Sequence, residues 1–181
     1  HCQNTDLFEN ARIVVHPKEL DYARNPNRGD RSAAWYIANM LGKMKIEPAS
    51  DGDSIADGAS ITDTLGHTKS HISVLLESGG DKVLVAGDAL PDSATVKRKL
   101  PFMVFWDVDD AAESVEKMLD ASRVFYPGHD RPFRLDGEEI SYLHGPTAVE
   151  VRDTNEDGGA AALTFRVIAK RPVNIDTVQK R

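Results

Sequence analysis

The sequence predicts an α/β domain. Short apolar, β-branched runs alternate with segments of helical period, and no long linker separates them. Of 181 residues, 40% are hydrophobic and 28% charged, the proportions of a globular chain with material for a sizeable core. Several of the strand-like runs end in glycine, as strands do where the backbone must turn sharply.

Taken in order, Ala11 to Val15 reads as a strand closed by His16-Pro17, since proline removes a ladder donor. Residues 18 to 31 alternate in charge and contain Asn25-Pro26-Asn27, which predicts a helical turn followed by a loop. Ala34, Ile37, Leu41 and Met44 stand at helical spacing, so Ser32 to Met44 is expected to be an amphipathic helix capped by Asp30 or Ser32. Its aromatic neighbours Trp35 and Tyr36 suit core packing, a pocket wall or a homodimer contact. Residues 48 to 60 are rich in Asp, Gly, Ser and Pro and predict turns, with Asp51-Gly52 as a hairpin signal.

His71 to Leu76 and Lys82 to Ala86 then predict a hairpin across Glu77-Ser78-Gly79-Gly80-Asp81. A helix follows from Asp109 to Ala121, with Ala112, Val115, Met118 and Leu119 as its apolar stripe, and Val124 to Tyr126 forms another strand. Thr147 to Asp153 and Ala160 to Ala169 flank Asn155-Glu156-Asp157-Gly158-Gly159 and predict a terminal β-hairpin. The expected division is a main domain at 1–136 and a hairpin extension at 137–181.

Composition narrows the function. A net charge of -7 disfavours a broad grip on nucleic acid or on an anionic membrane surface. No run approaches the roughly 20 apolar residues of a membrane-spanning helix. The expected partner is a small-molecule substrate, and the expected setting cytoplasmic. The single cysteine, Cys2, excludes an internal disulfide and a Cys-rich zinc module, so any metal would be held by His and carboxylates. The chain opens His1-Cys2-Gln3 without an initiator Met, which predicts missing upstream sequence.

Three times a strand-like run ends in glycine followed at once by a metal-capable side chain: Leu65-Gly66-His67, Ala86-Gly87-Asp88 and Pro127-Gly128-His129. Glycine permits a sharp exit from a strand and close approach of backbone to an ion. Imidazole with carboxylate suits zinc or a similar divalent ion. The candidates lie tens of residues apart, so the fold must assemble them.

The stretch Thr64-Leu65-Gly66-His67-Thr68-Lys69-Ser70-His71 resembles the Pro-Gly-His-Thr-Pro-Gly-His segment of the metallo-β-lactamase superfamily. Val83 to Asp88 resembles its next motif, a strand running into Gly-Asp, and Tyr126-Pro127-Gly128-His129-Asp130-Arg131-Pro132-Phe133 its final histidine loop. With His1 as the last histidine of the family's His-x-His-x-Asp-His motif, Cys2-Gln3-Asn4, Leu7-Phe8 and the strand to Val15 resemble the segment that comes after that motif. The resemblance covers residues 1 to about 136.

It implies a four-layered αββα fold whose N-terminal strands are missing from this chain. It implies a binuclear site, with zinc as the expected metal and iron or manganese as alternatives. His67 would serve one metal, His1 and His129 the other, and Asp88 would bridge both; two histidines and an aspartate would lie upstream. The activity implied is a lactonase-like hydrolase in which a metal-bound hydroxide attacks a lactone, thioester or amide. A phosphodiesterase or nuclease on the same fold, and a catalytically inactive binding module, are the rival expectations.

Leu65 and Lys69-Ser70 depart from the family's prolines and glycine, and Gln3 from its glycine, without removing a ligand. His71 is expected to pack beside the ligands rather than bind. Asp130 and Arg131 are expected to orient His129, contact substrate or form a surface ion pair. His16 and His144 read as structural or solvated, and Phe102, Phe105 and Trp106 as core or as a pocket mouth.

Overall fold

The computed structural model of the chain describes residues 5–30, 32, 33, 35–145, 148–154 and 160–166. The chain divides into two compact units between Ser141 and Tyr142.

In the first unit a 3-10 turn at Thr5–Leu7 leads to β1 (Ile13–Val15) and α1 (Pro17–Arg24). His16 joins them: its Nδ1 accepts the Lys18 amide at 3.2 Å, and Pro17 takes the first helical position, where no N–H is needed. The expected helical turn is therefore an eight-residue helix. Asp30 Oδ1 accepts the amides of Ser32 and Ala33 at 3.0 Å each, bonds that fall in the segment before the next helix rather than in that helix's first turn. That helix, α2 (Trp35–Leu41), buries Ile37, Ala38 and Leu41 and stops at Gly42, short of the expected Met44. β2 (Ile46–Pro48) then pairs in parallel with β1.

The rest of the unit is one seven-stranded sheet. Its strands lie side by side in sequence order: β3 (Ser54–Ala56), β4 (Ala59–Asp63), β5 (Ile72–Ser78), β6 (Asp81–Gly87), β7 (Val124–Pro127), β8 (Phe133–Asp136) and β9 (Glu139–Tyr142). The hairpin expected between His71 and Ala86 forms with Ser78 opposite Asp81, so its turn is Gly79-Gly80 alone. β3 and the start of β4 occupy what composition marks as turn. A three-residue strand with Ser54 and Ala56 exposed carries no alternation to read.

Within this sheet β6 and β7 pair in parallel, and that requires a crossover. α3 (Ala94–Arg98) and α4 (Val108–Ala121) supply it. Asp107 caps α4 by accepting the amides of Asp109 and Asp110 at 2.9 and 3.0 Å. The buried stripe is Ala111, Ser114, Val115, Met118 and Leu119. Ala111, not the expected Ala112, shares a face with Val115 and Met118 because i, i+4 and i+7 align. The stripe packs with Leu84 and Ala86 of β6, Phe125 of β7, and Phe133 and Leu135 of β8 into the core.

In the second unit, β10 (Ala148–Thr154) and β11 (Ala160–Arg166) pair antiparallel from Ala148↔Arg166 to Thr154↔Ala160. Among the described residues no helix is long and apolar enough to cross a membrane.

Candidate functional site

Strand direction gathers the three Gly-ligand segments at one end of the sheet. β4 ends and β5 begins there, and β6, antiparallel to β5, ends there. β7 runs parallel to β6 and ends there too. The loops carrying His67, Asp88 and His129 therefore share one edge, where ligands commonly sit beyond the carboxyl ends of parallel strands. Backbone bonds close two of these loops on one another. The Gly128 amide donates to Gly87 O at 2.9 Å and the His129 amide to Pro91 O at 2.8 Å.

Glycine is required twice for different reasons. Gly66 has φ +108°, and a Cβ there would lie 2.2 Å from the Ala111 amide nitrogen, so the His67 loop rests on the first turn of α4. At Gly128 a Cβ would fall 2.1 Å from Asp88 Oδ1. The space that a side chain would fill is what lets the His129 loop reach the Asp88 carboxylate.

Asp88 stands between the two histidines. Its Oδ2 is 3.5 Å from His67 Nε2 and its Oδ1 3.2 Å from His129 Nε2. Asp88 and His67 are buried. His67 Nδ1 lies 2.9 Å from the carbonyl of Met103, which can only accept, so Nδ1 carries the proton. In the neutral ring Nε2 then presents a lone pair to a carboxylate oxygen. Two acceptors facing one another are stable only with a positive charge beside both, a proton or a metal ion. Ligands roughly 2.0–2.1 Å from a tetrahedral ion stand about 3.3–3.4 Å apart, in the range of both separations observed. Among the described residues no three metal-capable side chains close around a single point. The arrangement is a carboxylate with a different histidine at each oxygen, and this donor set fits divalent cations.

His71 lies behind His67, their rings edge to face with centroids 5.8 Å apart. A buried polar chain holds it: Ser73 Oγ donates to Ala86 O at 3.1 Å, Thr64 Oγ1 meets Ser73 Oγ at 2.8 Å, and His71 Nδ1 meets Thr64 Oγ1 at 2.8 Å. Each hydroxyl has one proton. With the Ser73 proton on a carbonyl, Thr64 donates to Ser73 and His71 Nδ1–H donates to Thr64. Burial, and then the neighbouring His67, push the His71 pKa down to about 4, which keeps the ring neutral. Asp130 accepts the Ser93 amide at 3.0 Å and the Arg131 amide at 2.8 Å, so it ties the His129 loop to the start of α3.

A cavity of about 380 Å³ opens beside these groups, and Asp88, His67 and His129 line it. Another part of its wall comes from α1, the segment leading into α2, and α2 itself: Glu19, Tyr22, Ala23, Asp30, Ala33 and Ile37. The Tyr22 hydroxyl donates to Asp30 Oδ2 at 3.0 Å. Burial first, and then that carboxylate, hold the phenol protonated well above its usual range. Met103 and Phe105 complete the wall, Phe105 with its ring centroid 5.3 Å from that of His67. Glu19 Oε2 accepts the Ser70 amide at 2.8 Å, and Asn27 Nδ2 donates to Phe105 O at 2.8 Å. The first bond ties α1 to the His67 loop, and the second ties the loop after α1 to the segment before α4.

The metallo-beta-lactamase superfamily pattern matches residues 5–129. The chain belongs to the metallo-beta-lactamase superfamily. No curated protein sequence matches it significantly. Among solved structures, this superfamily chain is similar to a probable metal-dependent hydrolase from Staphylococcus aureus, with TM-score 0.64 and 25% identity over 78% of this chain and 55% of that one. It is also similar to a B. thuringiensis AiiA mutant with N-decanoyl-L-homoserine bound at the active site, with TM-score 0.59 and 21% identity over 72% and 51% of the two chains. A third is AidC, a dizinc quorum-quenching lactonase in complex with a homoserine product, at TM-score 0.58 and 16% identity over 77% and 56%. The chain spans about half the length of the solved structures it matches.

Of the residues that the superfamily motifs single out, His67, Asp88 and His129 meet at the sheet edge, while His1 and Cys2 lie outside the described residues. His16 caps α1. Phe105 lines the cavity, whereas Phe102 is exposed beside Arg98, and Trp106 packs edge-on against Tyr22. Sequence reasoning did not single out Glu19, Tyr22, Asp30 as a cavity group, or Met103. A charged, amphipathic α1 carries no signal of what its buried face lines.

Proposed function

We propose that this protein is a metal-dependent hydrolase acting on a lactone, thioester or amide of a small molecule. The observation that carries the reading is the acceptor-to-acceptor approach of His67 Nε2 and the Asp88 carboxylate, with His129 at the other carboxylate oxygen, on the wall of a cavity. In this reading His67, Asp88 and His129 would hold the metal centre, Asp88 being shared between the two histidines, and His1 would be the further ligand that the motif adds. Zinc suits nitrogen and carboxylate donors best, with iron or manganese as alternatives. Such a cation, when bound, polarises a carbonyl and brings the pKa of water down toward neutrality.

The protein's own groups do the rest. Met103 O fixes the His67 tautomer, and Asp130 and the Gly128 and His129 amides hold the His129 loop against Asp88. Ile37, Met103 and Phe105 offer an apolar surface to an acyl group and shield the reacting carbonyl from water. A lactone is favoured within this class by the homoserine products bound in two of the similar structures.

Elemental analysis of the purified intact protein, with turnover of a lactone, thioester and amide panel, tests the reading. About two metal equivalents are expected, and His129→Ala should lose about one of them and most of the turnover. Absence of stoichiometric metal, or full turnover by His129→Ala, overturns it.

A further inference from the structure

The cavity beside His67, Asp88 and His129 is also lined by Glu19, in the first turn of α1. Of the three carboxylates lining the cavity, Asp88 lies between the histidines, and Asp30 receives three donors, from Ser32, Ala33 and Tyr22. Glu19 is anchored through one oxygen only, Oε2 on the Ser70 amide. Among the described residues lining the cavity there is no Lys or Arg. The Lys69 ammonium lies over the Trp106 ring, 5.0 Å from its centroid. Glu19 also adds, as the smallest of several causes, to the field that keeps the Tyr22 phenol protonated. The lining mixes the apolar Ala23, Ala33 and Ile37 with the polar Tyr22, Asp30, Ser32 and Thr68. A half-buried carboxylate in a cavity attracts a cation or a strong donor more than it would in open water, and it repels an anion by the same margin.

We propose that Glu19 determines specificity, selecting acyl groups that carry a protonated amine over the same groups carrying a carboxylate. The proposal rests on the hydrolase reading for its substrate class, and on the cavity alone for its charge preference.

The test compares 6-aminohexanoyl and adipoyl thioesters of one thiol, which differ in end-group charge at similar length, on the metal-loaded protein. Wild type should favour the amine by roughly tenfold or more in kcat/KM, chiefly through KM. Glu19→Gln should cut that ratio at least fivefold, since the Gln amide oxygen still accepts from Ser70 while the charge is gone. Ala23→Lys, one turn further along α1, places an ammonium where it pairs with Glu19 and should cut the ratio in the same direction. Hexylammonium binding, followed by saturation-transfer NMR, should weaken in both variants whether or not any thioester turns over. If wild type shows no preference, or if both variants fold and keep both the ratio and the hexylammonium affinity, the proposal fails. If neither thioester turns over but hexylammonium binding still depends on Glu19, the charge preference stands and the choice of scissile bond fails.

Discussion

At the scale of single residues, the site depends on atoms that are absent as much as on those present. Gly128 keeps clear the space beside Asp88 Oδ1, where a Cβ would sit 2.1 Å from the oxygen and 2.9 Å from the Gly87 carbonyl. Neither neighbour can yield cheaply, one being backbone and the other a carboxylate held between histidines. Gly128→Ala should therefore cost about 1–3 kcal/mol of stability, by the overpacking of a tight contact. It should also weaken metal binding roughly 10–100-fold by displacing Asp88, as loss of a supporting contact does. Denaturant titration and chelator competition measure the two separately. Unchanged metal affinity in a folded variant would mean that Asp88 does not need this loop. The glycine-histidine pair stands out in the sequence, but its reason does not: Gly128 does not need a left-handed backbone, and only the fold shows which atom a side chain would strike.

At the scale of elements, capping and register decide where His67, Asp88 and His129 stand. α4 starts at Asp107, whose side chain accepts two amides of the first turn, and the same segment donates the Trp106 and Asp107 amides to Gly66 O. The cap thus sets the position of α4 against the His67 loop, and Ser114 Oγ reinforces it by donating to Leu65 O at 2.8 Å. Asp107→Ala should destabilise the protein by about 1 kcal/mol, read from the urea midpoint at constant slope. A change indistinguishable from zero would show the helix to be held by its buried stripe alone. α4 was legible because its stripe repeats over fourteen residues. α3, with five residues, and β3, with three, were not, because so few positions carry no period.

At the scale of the whole molecule, contacts between distant segments tie the layers together, and some of them titrate. Lys117 on α4 donates to Asp51 Oδ1 at 2.9 Å and to Asp63 O at 3.1 Å, clamping the helix to the end of β4 and to the connection between β2 and β3. The Lys117 hydrogen bond first, and then the Asp63 amide, hold the Asp51 carboxyl below its ordinary value of 3.8. A depressed carboxylate contributes stability that is complete above the ordinary pKa and is lost as pH falls through the lowered folded value. The difference in urea midpoint between wild type and Lys117→Ala should accordingly be constant above about pH 5 and shrink as the pH drops below the ordinary carboxylate range. A difference that stays constant down to about pH 3 would assign the contribution of Lys117 to its bond with Asp63 O. The pair is partly exposed, so the effect is modest and salt should reduce it.

The sequence by itself determined the chemistry on offer and its order along the chain. His67, Asp88 and His129 each follow a glycine at a strand end, and that signal is local, readable from a few neighbours. The same holds for the Gly79-Gly80 hairpin, the α4 stripe and the alternation of strands with helices, since propensity and periodicity act over one element at a time. The tertiary structure alone decided which atoms face one another. That Met103 O holds the proton of His67 on Nδ1, and that Glu19, Tyr22 and Asp30 line one cavity, depend on packing between segments distant in sequence. Such contacts are set by the sum of the whole core rather than by local sequence, so a helix that reads only as charged and amphipathic becomes part of the wall of the cavity beside His67, Asp88 and His129.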